Sequence, residues 1–152
     1  MKKDKTEEIR RDLKALFSSQ NLAVLATHQA GQPYASLVAF VVSEDLKYLF
    51  FATPTTTRKF SNLATDSRVA LLVNSSRNQV SDFHQAISVT ATGEAAEVSA
   101  GSKKDCLNFY LAKHPHLEDF VKSPTCALVR VTVKSYYLVK NFQHVMELHI
   151  AE

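Results

Sequence analysis

Tyr48-Leu49-Phe50-Phe51-Ala52-Thr53-Pro54-Thr55-Thr56-Thr57-Arg58-Lys59 begins as a run of apolar strand formers, gives way to hydroxyls and ends on two adjacent cations. Its first five residues read as a buried strand. From Lys59 through Phe60, Leu63 and Ala64 the pattern is that of a short helix, with Thr57 as its N-cap and Arg58 and Lys59 in its first turn. Cations there oppose the helix dipole by roughly 0.3 to 1 kcal/mol each, where Asp or Glu is the usual choice. A bound anion removes the conflict. Exposed amides, threonine hydroxyls and two cations together suit the three oxygens of a terminal phosphate. The competing reading of the same residues is a solvated basic turn.

Working outward, Asn21 to Thr27 and Pro33 to Val42 are two strands joined by a turn at Gln29-Ala30-Gly31-Gln32, and Ser43-Glu44-Asp45 turns the chain into a third strand, Leu46 to Thr53. Beyond the Arg58-Lys59 helix, Arg68 to Asn74 is a fourth strand, followed by a polar loop from Ser75 to Asp82. His84 to Gly93 alternates Ile87, Val89 and Ala91 against Ser88, Thr90 and Thr92, a fifth strand continuing toward Glu97 whose polar face is a candidate site lining. Ala127 to Val139 is a sixth, and a polar break at Lys140-Asn141 separates it from Phe142 to Ile150. Helices lie only between or outside the strands. Residues 6 to 18 form one, capped by Thr6 and apolar along Ile9, Leu13, Leu16 and Phe17; another runs from a capping-box-like Ser102 and Asp105 to His114-Pro115, with a short helical turn through Leu117 and Phe120. This order predicts a mainly β, α+β fold, a six-stranded antiparallel barrel with flanking helices, in one domain over residues 1–152.

Composition narrows the function. A net charge of +3 from 18 basic and 15 acidic residues is too balanced for a nucleic-acid surface. The longest apolar runs are strand length, and the first residues are too charged for a secretory signal, so a cytoplasmic protein without membrane partners is expected. Cys106 and Cys126 have no CxxC spacing and read as reduced structural thiols. With only Gly31, Gly93 and Gly101, neither a GxGxxG dinucleotide turn nor a GxxxxGK[ST] loop can be written. A phosphate here has to be held by side chains and a helix end.

The succession of a strand, a glycine turn, a Pro33-Tyr34-Ala35-Ser36 strand, a Phe50-Phe51-Ala52-Thr53 strand, the Thr57-Arg58-Lys59 helix and an Arg68-Val69-Ala70-Leu71-Leu72-Val73 strand resembles the FMN-binding split β-barrel family related to pyridoxamine 5′-phosphate oxidase. The resemblance is strongest over residues 22 to 97. It implies FMN as cofactor, with Thr57, Arg58 and Lys59 on its phosphate. It also implies that Ser36, Leu37 and Val38 offer backbone groups to the polar edge of the isoalloxazine, Thr53 lies near the ribityl or ring, and Ser88 approaches from the fifth strand. A homodimer with each flavin at the subunit interface is implied too. The expected activity is transfer of hydride or electrons between bound flavin and a small molecule.

Departures from the oxidase argue against that particular activity. Ser36 and Val41 stand where it has further cations on the second strand, Ser88 is the nearest equivalent of its fifth-strand Gln, and its C-terminal Trp is missing. Glu147-Leu148-His149 inverts the charge of its Arg-Leu-His. The alternative is a non-enzymatic barrel of the same fold that binds flavin, deazaflavin or haem, with haem requiring His84 or a C-terminal histidine on the iron. No metal site is read from His114-Pro115-His116, which lacks a third ligand at regular spacing, or from His144 and His149, which are five apart and poorly placed for one helix or strand face. No side chain is assigned as a catalytic acid or base.

Overall fold

Along most of the strands every second residue is buried, and the buried rows face one another across a barrel. In the computed structural model, which describes residues 2–150, the strands are β1 (Leu22–Gln29), β2 (Gln32–Val42), β3 (Tyr48–Pro54), β4 (Arg68–Asn74), β5 (Ser88–Glu97), β6 (Cys126–Lys140) and β7 (His144–His149). Their order is β3-β2-β1-β4-β5-β6, and β3 pairs back onto β6 to close six antiparallel strands. The buried cluster inside contains Leu25, Phe40, Phe51, Leu71, Val129 and Leu138. Each such side chain contributes about 1.5 to 3 kcal/mol on leaving water.

The closure is incomplete in one place, and this positions the site. β2 pairs with β3 only through Phe40, Val41 and Val42 against Phe51, Phe50 and Leu49. Residues 32–39 of β2 pair with β1 alone. The wall is therefore split between the first two thirds of β2 and the end of β3.

β6 is long enough to serve two neighbours in succession: its first half pairs with β3 and its second half, from Ser135, with β7. The polar break at Lys140-Asn141 is thus a tight hairpin turn carrying a seventh strand. Asn141 and Phe142 both have positive φ, 50° and 66°. A bulge at Thr92/Gly93 lets β5 follow the curve of β6. A Cβ on Gly93 would sit 2.2 Å from the Thr132 carbonyl oxygen, so only glycine fits there.

Helix α1 (Lys2–Ser19) lays Ile9, Leu13, Leu16 and Phe17 on the core. It begins a turn earlier than Thr6, because Lys2 to Lys5 contain no helix breaker and Asp4 suits the first turn. Lys113, at the end of α4 (Ala100–Lys113), donates 2.8 Å bonds to the Phe17 and Gln20 carbonyls and so caps α1 from a distance. The start of α4 lies two residues before Ser102, with Ser99 at the N-cap position. Further along, α5 (Glu118–Lys122) follows a single 3₁₀ turn. The fifth strand does not begin at His84. Residues Asp82–Gln85 form a helical turn, α3, because Asp82 accepts from the Arg77 and Gln79 amides and bends the chain away from the sheet.

Candidate functional site

At the foot of the split, the chain leaves β3 through Thr53 and enters helix α2 (Arg58–Thr65). Thr57 is the N-cap, in extended geometry, and its Oγ1 accepts from the Phe60 amide at 3.3 Å. The same hydroxyl donates to the Pro54 carbonyl at 3.0 Å and lies 2.8 Å from Thr53 Oγ1. Thr53 is fully buried, which fixes the hydroxyl pair against the strand end. The helix mouth is held in one geometry by side chains rather than by a glycine loop.

Arg58 and Lys59 open that helix. Among the described residues neither forms an ion pair, although six Lys- or Arg-to-carboxylate contacts occur elsewhere among them. Arg58 is exposed, and its guanidinium lies over the Tyr34 ring, 5.6 Å from the centroid. Lys59 is half-buried. Tyr34 and Arg58 line a groove of about 480 Å³ with Gln29, Gln32 and Asn62. Asn62 is buried and donates to Thr27 Oγ1 at 3.1 Å, pinning α2 to β1. Sequence reasoning missed Tyr34 and Asn62. The signals were present: Tyr34 shares the face of Ser36 by strand alternation, and Asn62 follows Arg58 by one helical turn.

Ser36, Leu37 and Val38 lie on the open stretch of β2 and play different parts. The Phe40 amide bonds to the Asn21 carbonyl, and antiparallel alternation then turns the backbone groups of Ser36 and Val38 toward β1. Those of Ala35 and Leu37 face the split, where no strand pairs with them. Ala39 points the same way, and its carbonyl accepts from the Tyr110 hydroxyl at 3.0 Å, so α4 closes the upper end of the gap. Side chains alternate in the opposite sense. Val38 is in the core, and Ser36 Oγ is buried with no hydrogen-bond partner in the chain. An orphaned buried hydroxyl beside an open strand edge and two unpaired cations is the arrangement of an incomplete polar site.

Ser88 is elsewhere. It pairs with Asn74 and Val139 on the outer side of the barrel. Its row is level with Ala39, five residues along β2 from Tyr34, roughly 17 Å away at strand rise. The strands β1 and β4 stand between. Thr53 and Thr57 meet at the start of α2, where Arg58 reaches over to Tyr34 on β2; Ser88 is remote from all four in one chain.

The outer face between these two regions is apolar. Leu37, Val24 and Leu72 form one row across β2, β1 and β4, and Ala35, Ala26 and Ala70 the next. Leu37 is 60% exposed and Leu72 38%. His114, by contrast, is in the core, with Nε2 donating to the Phe40 carbonyl at 2.7 Å and its ring against Tyr110. His84 is exposed on α3, and His149 is bonded to Ser135 and Glu147.

Comparison with known proteins follows the same lines. No curated protein sequence matches the chain. Among solved structures, a haem-binding protein from Mycobacterium smegmatis superposes with a TM-score of 0.80 at 15% identity, over 92% of this chain and 57% of that one. This chain therefore spans little more than half of that protein. A FAD-binding protein from Mesorhizobium loti gives 0.69 at 15% identity, over 84% and 91%. General Stress Protein 26 from Bacillus anthracis gives 0.68 at 15%, over 92% and 98%. At these identities the likeness is one of fold. The sequence profile of the family described as Pyridoxamine 5′-phosphate oxidase matches residues 9–140, from the first core residue of α1 to the end of β6. With the split barrel and its Thr57-Arg58-Lys59 helix inside that span, the chain belongs to the pyridoxamine 5′-phosphate oxidase family.

Proposed function

We propose that this chain is an FMN-binding oxidoreductase that acts as a homodimer on a small-molecule substrate. The observation that carries the reading is the pair of cations without carboxylate partners at a helix mouth pre-set by the Thr53–Thr57 hydroxyl pair. Arg58 and Lys59 would take the phosphate with Thr57, and the unpaired N–H and C=O groups of Ala35 and Leu37 would meet the polar edge of the ring. Ser36 Oγ, which has no partner in the chain, would gain one from the cofactor. When bound, the flavin supplies the hydride or electron chemistry. The chain's part is to anchor the phosphate, orient the ring along β2 and keep water from one of its faces.

Two features support a dimer. An exposed sheet face of Leu37, Leu72, Val24 and small alanines is costly in water and flat enough for a second copy. Ser88, too far around the wall to touch a ligand held at Arg58 of its own chain, would reach the ligand of the second copy. Haem is the alternative occupant, supported by the likeness to the Mycobacterium smegmatis protein. Titration of the purified protein with FMN, followed by quenching of flavin fluorescence, tests the reading. Saturable uptake of one FMN per chain is expected; no uptake of FMN, with a Soret band on adding haem, would overturn it.

A further inference from the structure

Two exposed phenylalanines from distant parts of the chain meet at the far end of the barrel from Arg58. Phe83 on α3 and Phe142 in the β6–β7 turn are 54% and 65% exposed, and their rings make an edge-to-face contact with centroids 5.5 Å apart. They stand over a cavity of about 400 Å³. Its wall is Leu72, Ala86, Ile87 and Val139, and its polar edge is Asn74, Ser76 and Ser88.

Phe142 is held there against its backbone preference. A φ of 66° is left-handed, a conformation that a bulky side chain rarely adopts, and glycine or asparagine would satisfy the turn without strain. Strain of this kind persists where the surroundings enforce it and is concentrated at ligand-binding positions. The cavity has the volume, the apolar wall and the few convergent polar groups of a small-molecule site.

Its charge selects the ligand. No Lys or Arg side chain lines the cavity, and the one ionisable group, Asp82, is a carboxylate engaged by the Arg77 and Gln79 amides at 2.9 to 3.1 Å. An anion would meet negative charge and no cation. Asn74 accepts from the Ser76 amide at 2.9 Å and from the Ser76 hydroxyl, which leaves its Nδ2 with no protein acceptor among the described residues. That donor and the Ser88 hydroxyl suit a carbonyl or phenol oxygen.

We infer that the Phe83–Phe142 cavity binds a small, uncharged aromatic molecule carrying one or two oxygen substituents, and that it discriminates against phosphorylated compounds. Because Ser88 lies in its wall, the cavity is the substrate end of the flavin site contributed to the second copy. That assignment to the substrate rests on the function proposed above; the affinity for a neutral ring does not.

The test is calorimetric titration of the full chain with 1-naphthol and with 1-naphthyl phosphate, which share a ring and differ in charge. Naphthol is expected to bind at least tenfold more tightly than its phosphate, and to lose at least tenfold in affinity in both Phe83→Ala and Phe142→Gly. Phe142→Gly relieves the left-handed strain, so its thermal midpoint should be unchanged or higher while binding falls, an outcome that a purely structural role for the ring does not produce. Equal or tighter binding of the phosphate, or unaltered naphthol affinity in both variants, overturns the inference. So does a wild type that ignores naphthol while the two variants lose self-association, which would make the patch a contact between copies. FMN uptake measured on the same samples separates the two readings: naphthol binding without FMN uptake removes the flavin function and leaves the cavity assignment standing.

Discussion

Thr53 Oγ1 and Thr57 Oγ1 lie 2.8 Å apart, joining the last buried residue of β3 to the N-cap of α2. The contact links a core strand to the helix start that carries the two cations, so the barrel helps to set their direction. Removing the Thr57 hydroxyl breaks this link together with the bond from the Phe60 amide. Thr57→Ala is expected to lower stability by about 0.5 to 2 kcal/mol, and Thr57→Ser to restore most of it. Urea denaturation of the two variants measures the difference.

Arg58 carries its charge over the Tyr34 ring with no carboxylate beside it. A phosphate is its natural counter-ion, and charge-assisted contacts of this type contribute about 1.5 to 3 kcal/mol. Arg58→Ala should therefore weaken FMN binding by roughly 10- to 150-fold, at the conversion of about 1.4 kcal/mol per decade. Fluorescence titration gives the number; an unchanged affinity would remove the phosphate from this helix.

Leu37 and Leu72 lie in one row on the outer face, with Val24 between them. If that face is covered by a second copy, a charge in its centre costs at least about 2 kcal/mol of association. Leu37→Asp should shift the dimer toward monomer in sedimentation equilibrium while the thermal midpoint of the monomer changes little, since Leu37 is exposed in the single chain. A monomeric wild type would sink the prediction at once.

Gly93 sits where β5 bulges against β6, with room for hydrogen only: a methyl group would meet backbone, the Thr132 carbonyl oxygen, at 2.2 Å. Backbone of two paired strands has to move to admit it. Gly93→Ala is expected to destabilise by about 1 to 3 kcal/mol or more, read as a lower denaturation midpoint.

His114 is buried against Tyr110, and burial holds its imidazole below the ordinary value of 6.5 despite the bond to the Phe40 carbonyl. The unfolded chain thus takes up this proton more readily than the folded one. The stability contributed is complete above about pH 6.5 and is lost as pH falls toward the folded value. Thermal midpoints measured from pH 7 to pH 5 should drop more steeply in the wild type than in His114→Gln, which keeps a donor for Phe40 but does not titrate.

The Thr57 cap, the β1–β2 hairpin and the alternation of β4 and β6 were legible because each depends on neighbours in the chain. Three placements were not. His84 reads as the start of a strand by composition, yet the Asp82 carboxylate gathers the amides of Arg77 and Gln79 and winds that segment into α3. Lys140-Asn141 reads as a polar break before Phe142 to Ile150, with nothing local to say where that segment goes, yet the turn returns it to β6. Ser88 reads as a lining residue on the polar face of the fifth strand, yet only the register of β1, β4 and β5 sets it at the other end of the wall from Arg58 of its own chain.

By itself the sequence determined most of the strands, their buried faces, the helix cap and the pair of cations beside it, since strand period, capping and charge act over a few residues. Only the tertiary structure decided where β2 parts from β3, which backbone groups of Ala35 and Leu37 are left open, that Tyr34 lies under Arg58, and that Phe83 meets Phe142. Those depend on barrel register and closure, which are fixed by pairings such as Phe51 with Val129 between segments far apart in the chain, and a local pattern carries no record of them.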